Sequence, residues 1–311
     1  MVITREAVQE SAWIINADLY DTYVTRDTKW FPNFFRKEKE LLDKLLGSLR
    51  KTKKSISLIE VGSGTGRVLL SYINNKEIFN SLNYLIGIDN SEEMTEIALK
   101  KLEQEKENHK EISKSIDEKY IFINLDALEM DKLFKEGRIV SEELAKSKSG
   151  CIKKLKPDEY NESLKVVCCL LNTLGNIIDP SNNMKPEEAR QKVVSNMIDT
   201  AGKEGIIVIS VLSNESFIKH AKELYKSMKE FVGEFNDNEA FNNNEFVFRT
   251  NIYYSHWFKK EEIENIVKKA SEEIKYEDKY EVKCYSINDT LKGYFVIGGP
   301  ATLLKAISPL T

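Results

Sequence analysis

Five short, almost uninterrupted apolar runs recur along the chain, and they restrict its possible folds more than any other feature. They are Ser57 to Val61, Tyr84 to Ile88, Tyr120 to Leu125, Val166 to Leu171 and Ile206 to Val211. The first three break off at Gly62, Asp89 and Asp126. A strand with one face in water alternates apolar and polar residues, whereas a continuously apolar run suits a strand covered on both faces, as in a parallel sheet. Helical patterns lie between the runs. After Asn90-Ser91-Glu92-Glu93, residues Met94, Ile97, Ala98 and Leu102 share one face. Pro186-Glu187-Glu188 opens a second helix, with Ala189, Val193, Met197 and Ile198 on its apolar side. Lys259-Lys260-Glu261-Glu262 opens a third, carrying Ile263, Ile266, Val267 and Ala270. Strands alternating with helices predict a doubly wound α/β sheet with right-handed crossovers.

Three segments exceed a minimal α/β unit. Residues 1–50 are aromatic-rich and predicted helical, 127–160 form a charged insertion, and 213–256 form another with an Asn-rich centre from Phe235 to Phe246. The charged run Glu103 to Lys119 predicts a solvated helix end or a loop. Without internal repeats or a Gly/Ser linker, the 311 residues read as one domain with insertions. Composition removes several classes of function. With 46 Lys+Arg against 50 Asp+Glu, the formal charge is −4, so the simplest electrostatic case for nucleic-acid binding is missing. No apolar run approaches the ~18 residues of a membrane span. Arg5, Glu6 and Glu10 interrupt any signal-peptide core. Cys151, Cys168, Cys169 and Cys284 lack CxxC spacing, and Cys168-Cys169 sit mid-run like buried, inert core residues. His109, His220 and His256 are the only histidines. The expectation is a cytoplasmic protein without a metal site or a membrane partner, its oligomeric state open.

The sharpest local signal is Ile59-Glu60-Val61-Gly62-Ser63-Gly64-Thr65-Gly66-Arg67, at a strand end and opening a helix predicted over Val68 to Ile73. Glycines there let the backbone turn tightly and approach a ligand. A P-loop and a GxGxxG dinucleotide fingerprint each need a glycine where Arg67 stands. The G-x-G-x-G form remains. With an acidic residue two before its first glycine, it resembles motif I of the class I S-adenosylmethionine (SAM) methyltransferases. Further resemblances follow in order at later strand ends: Asp89 to the acidic residue on the ribose hydroxyls, Met94 to the apolar residue on adenine, and Asp126-Ala127 to the pair at the adenine edge. Leu171-Asn172-Thr173 resembles the motif facing the methyl donor, and His256-Trp257-Phe258-Lys259-Lys260-Glu261-Glu262-Ile263 the family's start of a late helix.

That resemblance implies a Rossmann-like, mostly parallel seven-stranded sheet whose last strand, Gly293 to Gly298, is antiparallel, with a helical N-terminal lid (1–50), a methyltransferase domain (51–311) and an insertion after the fifth strand. It implies SAM as cofactor, held by Glu60, Gly62, Ser63, Gly64, Gly66, Asp89, Asn90, Met94, Asp126, Ala127 and Leu171. It also implies methyl transfer with Asn172 at the reacting centre and Tyr20 or Tyr23 orienting the nucleophile. Plainer readings stand beside these: Glu60 as partner of a lysine, Asn90 as a helix cap, Met94 as core. Leu19-Tyr20-Asp21-Thr22-Tyr23 and Arg26-Asp27-Thr28 are similar to the lid of glycine N-methyltransferase-like enzymes, which favours a small-molecule substrate with an N or O nucleophile. The proline-containing motif of base-amine methylases is absent from Asn172-Thr173-Leu174-Gly175. A protein or RNA methyltransferase, a non-catalytic module binding SAM or its product S-adenosylhomocysteine (SAH), and an NAD-dependent oxidoreductase remain as alternatives.

Overall fold

The computed structural model describes residues 20–22, 30–52, 54–141, 155–179, 181, 183–228, 235–242, 244–247, 254–274 and 279–307. Its centre is a seven-stranded sheet. The strands are β1 (Ile56–Val61), β2 (Leu82–Asp89), β3 (Tyr120–Asn124), β6 (Leu164–Cys169), β7 (Ile206–Leu212), β11 (Tyr280–Ile287) and β12 (Gly293–Pro300), in spatial order β11-β12-β7-β6-β1-β2-β3. The five adjacent strands β7, β6, β1, β2 and β3 are mutually parallel, while β12 runs antiparallel to β7 and β11 antiparallel to β12. β4 (Phe134–Lys135) with β5 (Arg138–Ile139) makes a hairpin, and β8 (Phe241–Asn242), β9 (Glu245–Val247) and β10 (Tyr254–His256) make a small second sheet.

The apolar runs occupy the strands they predict, and successive residues in them face opposite ways. Ile56, Leu58, Val166 and Cys168 join one core; Ile59, Val61, Val167 and Cys169 join the other. This is the period-2 geometry of a sheet covered on both sides. The first core is closed by helix α1 (Phe31–Arg50), which contributes Phe34, Leu42, Leu45, Leu46 and Leu49, and by α2 (Glu92–Asn108) with Ala98 and Leu102. The second is closed by α3 (Pro186–Ala201) and α5 (Lys260–Glu273), through Val193, Met197, Ile263 and Val267. Between them in sequence, α4 (Asn214–Ser227) packs Leu224 and Tyr225 into the first core.

Several boundaries differ from expectation. Phe31–Arg50 is a structural helix on the sheet face, because its aromatic and leucine positions repeat at helical spacing and all find the core. Any covering role for the first 50 residues falls to Phe31 at the helix start and to the part before it, of which 20–22 and Trp30 are described. The helix after the glycine loop spans only Arg67–Leu70 before tightening into a 3₁₀ turn over Ser71–Asn74. The charged run after Leu102 stays helical to Asn108, and Ser113–Lys119 is helical again; Ile116 anchors the second piece in the core. Strand β11, whose charged residues hide its period in the sequence, lies at the sheet edge and is only half-buried. No helix among the described residues is long and apolar enough to cross a membrane.

Candidate functional site

Strands β1, β2 and β3 step outward to one side, and the chain then returns to place β6 on the other side of β1. Ligands of open α/β sheets bind outside the C-terminal strand ends at such a switch point. A cleft lies there, enclosing ≈ 1150 Å³ with its open mouth included. Gly62, Gly64, Asp89, Asn90, Met94, Asp126, Ala127, Leu171 and Asn172 line it, together with Tyr20. Residues drawn from five separate stretches of sequence therefore meet in one place.

The glycine loop owes its shape to backbone geometry that side chains resist. Gly62, Gly64 and Gly66 have φ of 70°, 52° and 76°. The amides of Gly62 and Ser63 both donate to the Ile88 carbonyl, at 2.7 and 3.1 Å, locking the loop to β2. A Cβ on Gly62 would overlap Thr173 Cγ2, so the missing side chain keeps the floor of the cleft open. Gly66 and Ser63 stand behind the loop. A Cβ on Gly66 would press the Phe122 ring, and Ser63 is buried, so both set the loop's seating and neither lines the cleft.

Asp89 ends β2 with both carboxylate oxygens engaged: Oδ2 accepts from the Gly64 amide at 2.7 Å and Oδ1 from the Ser91 amide at 2.9 Å. Burial raises its pKa, and these two donors pull the other way. Ser91, one residue past Asn90, is the cap of α2, its Oγ accepting from the Met94 amide at 3.2 Å. Asn90 is thus left at the cleft wall, not spent on the cap. Met94 is buried yet lines the cleft. Asp126 caps the following 3₁₀ turn, accepting from the Leu128 amide at 2.8 Å, and burial raises its pKa too.

Glu60 does not line the cleft. It is buried beneath the loop, its Oε2 has no hydrogen-bond partner, and burial pushes its pKa up to about 8 despite the Arg67 charge. Arg67, which rules out two other glycine motifs in the sequence, is held between Glu38 (Nη2–Oε2 3.5 Å) and the Phe35 ring, 4.0 Å from its guanidinium carbon.

Asn172, expected at the reacting centre, lines the cleft with its carboxamide already engaged. Its Nδ2 donates to Ser255 Oγ (3.2 Å) and the His256 carbonyl (3.1 Å), and its Oδ1 accepts from the Leu212 amide (3.0 Å). The carboxamide joins the end of β6 to β7 and β10 and so positions the cleft wall. β6 also stops earlier than expected, because Leu171 and Asn172 turn left-handed with φ of 52° and 58°. Two consecutive non-glycine residues in that region are strained. Glu38 and Ser210 hold the turn: the Leu171 amide donates to Glu38 Oε1 at 2.8 Å and to Ser210 Oγ at 2.9 Å, and Ser210 Oγ also donates to Glu38.

Tyr20 brings its ring to 3.7 Å from the position of a Gly64 Cβ, and burial raises its pKa, so the hydroxyl stays protonated. Asp21 fixes this short turn to the loop, accepting from Thr65 Oγ1 at 2.7 Å and pairing with Lys101. Tyr23 lies outside the described residues. Cys168 and Cys169 are fully buried, which raises both thiol pKa values and makes them unreactive. Among the described residues, no group of three or more His, Cys, Asp or Glu could hold a metal ion.

Sequence reasoning missed the opposite half of the cleft. Phe31, Asn176, Ile177, Leu212, Leu224, Tyr225, Met228 and Ser255 line it, while Thr173, from a motif read in the sequence, and the strand residues Val61, Ile88 and Leu125 complete the lining. Leu224, Tyr225 and Met228 lie on or just after α4 at the spacing of an ordinary core face, so no signal separates them from packing residues. Tyr225 is held by a stacked Phe246 ring (centroids 3.9 Å apart) and by Trp257, whose Nε1 donates to its hydroxyl at 3.0 Å. The Asn-rich insertion therefore serves to place Tyr225.

This architecture is the fold of the SAM-dependent methyltransferases. Among solved structures, the chain is similar to the CcbJ methyltransferase of Streptomyces caelestis (10% identity, TM-score 0.52), with 94% of this chain and 99% of that one covered. It is similar as well to the magnesium protoporphyrin IX methyltransferase ChlM of Synechocystis PCC 6803 with bound SAM (9% identity, TM-score 0.51), covering 96% and 98%. The PH0226 protein of Pyrococcus horikoshii OT3 aligns at 14% identity and TM-score 0.50 over 91% and 97%. No family model and no curated protein matches the chain.

Proposed function

We propose that the chain is a SAM-dependent methyltransferase acting on an N or O nucleophile of a small molecule. The observation that carries this reading is the donor end of the cleft: a glycine cradle that an added Cβ would fill, beside the carboxylates of Asp89 and Asp126, with no cationic side chain among the described lining residues. SAM bears a positive sulfonium and a positive ammonium, so acidic groups without competing cations fit it. Gly62 and Gly64 would hold its amino-acid part, Asp89 and Asn90 its ribose, and Met94, Asp126 and Ala127 its adenine. Glu60, beneath the loop with an unpartnered oxygen, would act through the loop and its polar surroundings. Bound there, SAM supplies a sulfonium methyl group that an acceptor lone pair takes, the C–S electrons returning to sulfur and any displaced proton leaving to water.

The chain's own contribution is positioning and exclusion of water. Tyr20, fixed over the loop by Asp21, closes one side; α4 and the small sheet close the other. No side chain of the described lining is suited to act as a general base near neutral pH except the donor-end carboxylates, which are engaged with backbone amides. Catalysis by alignment suits such a site. Calorimetric titration with SAM, SAH and NAD tests the reading: micromolar SAM and SAH affinity without NAD binding is expected, and NAD binding alone would overturn it. Asp89→Ala is expected to weaken SAM binding by about 10–100-fold, the worth of hydrogen bonds to a charged group.

A further inference from the structure

Among the described lining residues, the half of the cleft away from Asp89 and Asp126 carries no charged side chain. We infer that the substrate is an uncharged, largely apolar, aromatic-sized acceptor; this narrows the preceding reading and rests on it. The wall facing away from the glycine loop is built from Phe31, Leu171, Leu212, Leu224, Tyr225 and Met228. The polar side chains between that wall and the glycine loop are neutral as well: the hydroxyls of Tyr20, Thr173, Tyr225 and Ser255 and the amides of Asn172 and Asn176. Among the described lining residues, the only charged side chains are Asp89 and Asp126, both at the donor end.

An anionic acceptor entering this half would give up its water and meet ring and methyl carbons in place of a cation. A cationic acceptor would find only the two carboxylates assigned to the donor. Neutral hydroxyls can still orient a substrate by hydrogen bonds without charge. The wall's texture agrees with a flat occupant. Tyr225 is rigid, stacked on Phe246 with an interplanar angle of 8° and tied to the buried Trp257, while Met228 is adaptable and polarisable. Rigid aromatic and soft thioether surfaces favour an aromatic ring over a small hydrophilic amino acid.

The test uses the full chain saturated with SAH, so that the donor end is filled and only the acceptor half is open. Three probes of one shape are titrated at pH 7: 2-naphthol (neutral), 2-naphthoate (anion) and 2-naphthylmethylammonium (cation). The expected result is naphthol binding at least tenfold tighter than either charged probe. Met228→Lys, with SAH binding as the check that it folds, is expected to reduce or reverse the preference of naphthol over naphthoate. Equal or tighter binding of a charged probe overturns the inference, as does the absence of naphthol binding to the SAH complex; in both cases the cofactor reading survives. Failure to bind SAH in the initial titration removes the cofactor reading and the inference together.

Discussion

At the scale of single residues, the cleft depends on positions where an ordinary side chain is excluded or an ordinary conformation is forced. Gly62 combines both, with φ of 70° and no room for a Cβ against Thr173. Gly62→Ala is expected to cost about 2–4 kcal/mol, from left-handed strain and overpacking together. Urea unfolding measures the loss, and a parallel SAM titration should show the cleft floor blocked. Gly64 is different: its Cβ would meet only the Tyr20 ring, at 3.7 Å, so Gly64→Ala bears the conformational cost alone. Leu171 and Asn172 show the converse, non-glycine residues held left-handed by side chains from other strands and helices. Nothing in the local sequence Leu170-Leu171-Asn172-Thr173 announces that strain, since the restraint comes from Glu38 on α1 and Ser210 on β7.

At the scale of elements, the small sheet is joined to the main fold through His256. Its Nδ1 faces Glu245 of β9 (3.2 Å) and its Nε2 faces Glu262 of α5 (2.7 Å). Tyr254 donates to the same Glu245 oxygen at 2.6 Å, and Arg190 of α3 donates to Tyr254 at 3.1 Å. Burial lowers the pKa of His256, but the two carboxylate hydrogen bonds outweigh it and leave the pKa raised. A raised histidine pKa means stabilisation that is complete below the unfolded value, about 6.5, and is lost as pH rises through the folded value. The two glutamates, held below their usual range, act in the opposite direction and lose their contribution as pH falls. The joint is therefore strongest in mildly acidic to neutral solution. His256→Gln is expected to lower stability by about 2–3 kcal/mol at pH 6 and by less at pH 8.5. Unfolding measured at both pH values checks this, and an equal loss at the two would show that the imidazole is not charged in the folded protein. Because the His256 carbonyl also receives the Asn172 amide, the same variant reports on the cleft wall.

At the scale of the whole molecule, the site is a property of chain path more than of any one segment. The lining residues come from the ends of β1, β2, β3, β6 and β7, from the N-terminal segment and from the 213–256 insertion, so a ligand in the cleft bridges parts that separate on unfolding. SAH at 100 times its dissociation constant is expected to raise the unfolding free energy by about 2.7 kcal/mol and the Tm by roughly 4 °C. Differential scanning fluorimetry with and without SAH measures the shift, with NAD as the control that should leave the Tm unchanged.

The sequence by itself determined the layers and the strand-end edge of the cleft. Continuous apolar runs can be buried only between two helical layers, and a parallel sheet must deliver its strand ends to one edge. Gly62, Asp89 and Asp126 were legible there because loop glycines and strand-end acids have few other uses, and Met94 only through the family resemblance. Tertiary structure alone decided the opposite half of the cleft and its supports. Leu224 and Met228 carry the same periodic signal as core residues, Glu38 reads as one more charge on an amphipathic helix, and nothing local to Asn172 shows which backbone groups its carboxamide meets. Whether an apolar residue lines a cleft or fills a core depends on what packs opposite it. Whether a polar one meets a ligand or a backbone amide depends on the same thing, and that neighbour comes from distant sequence.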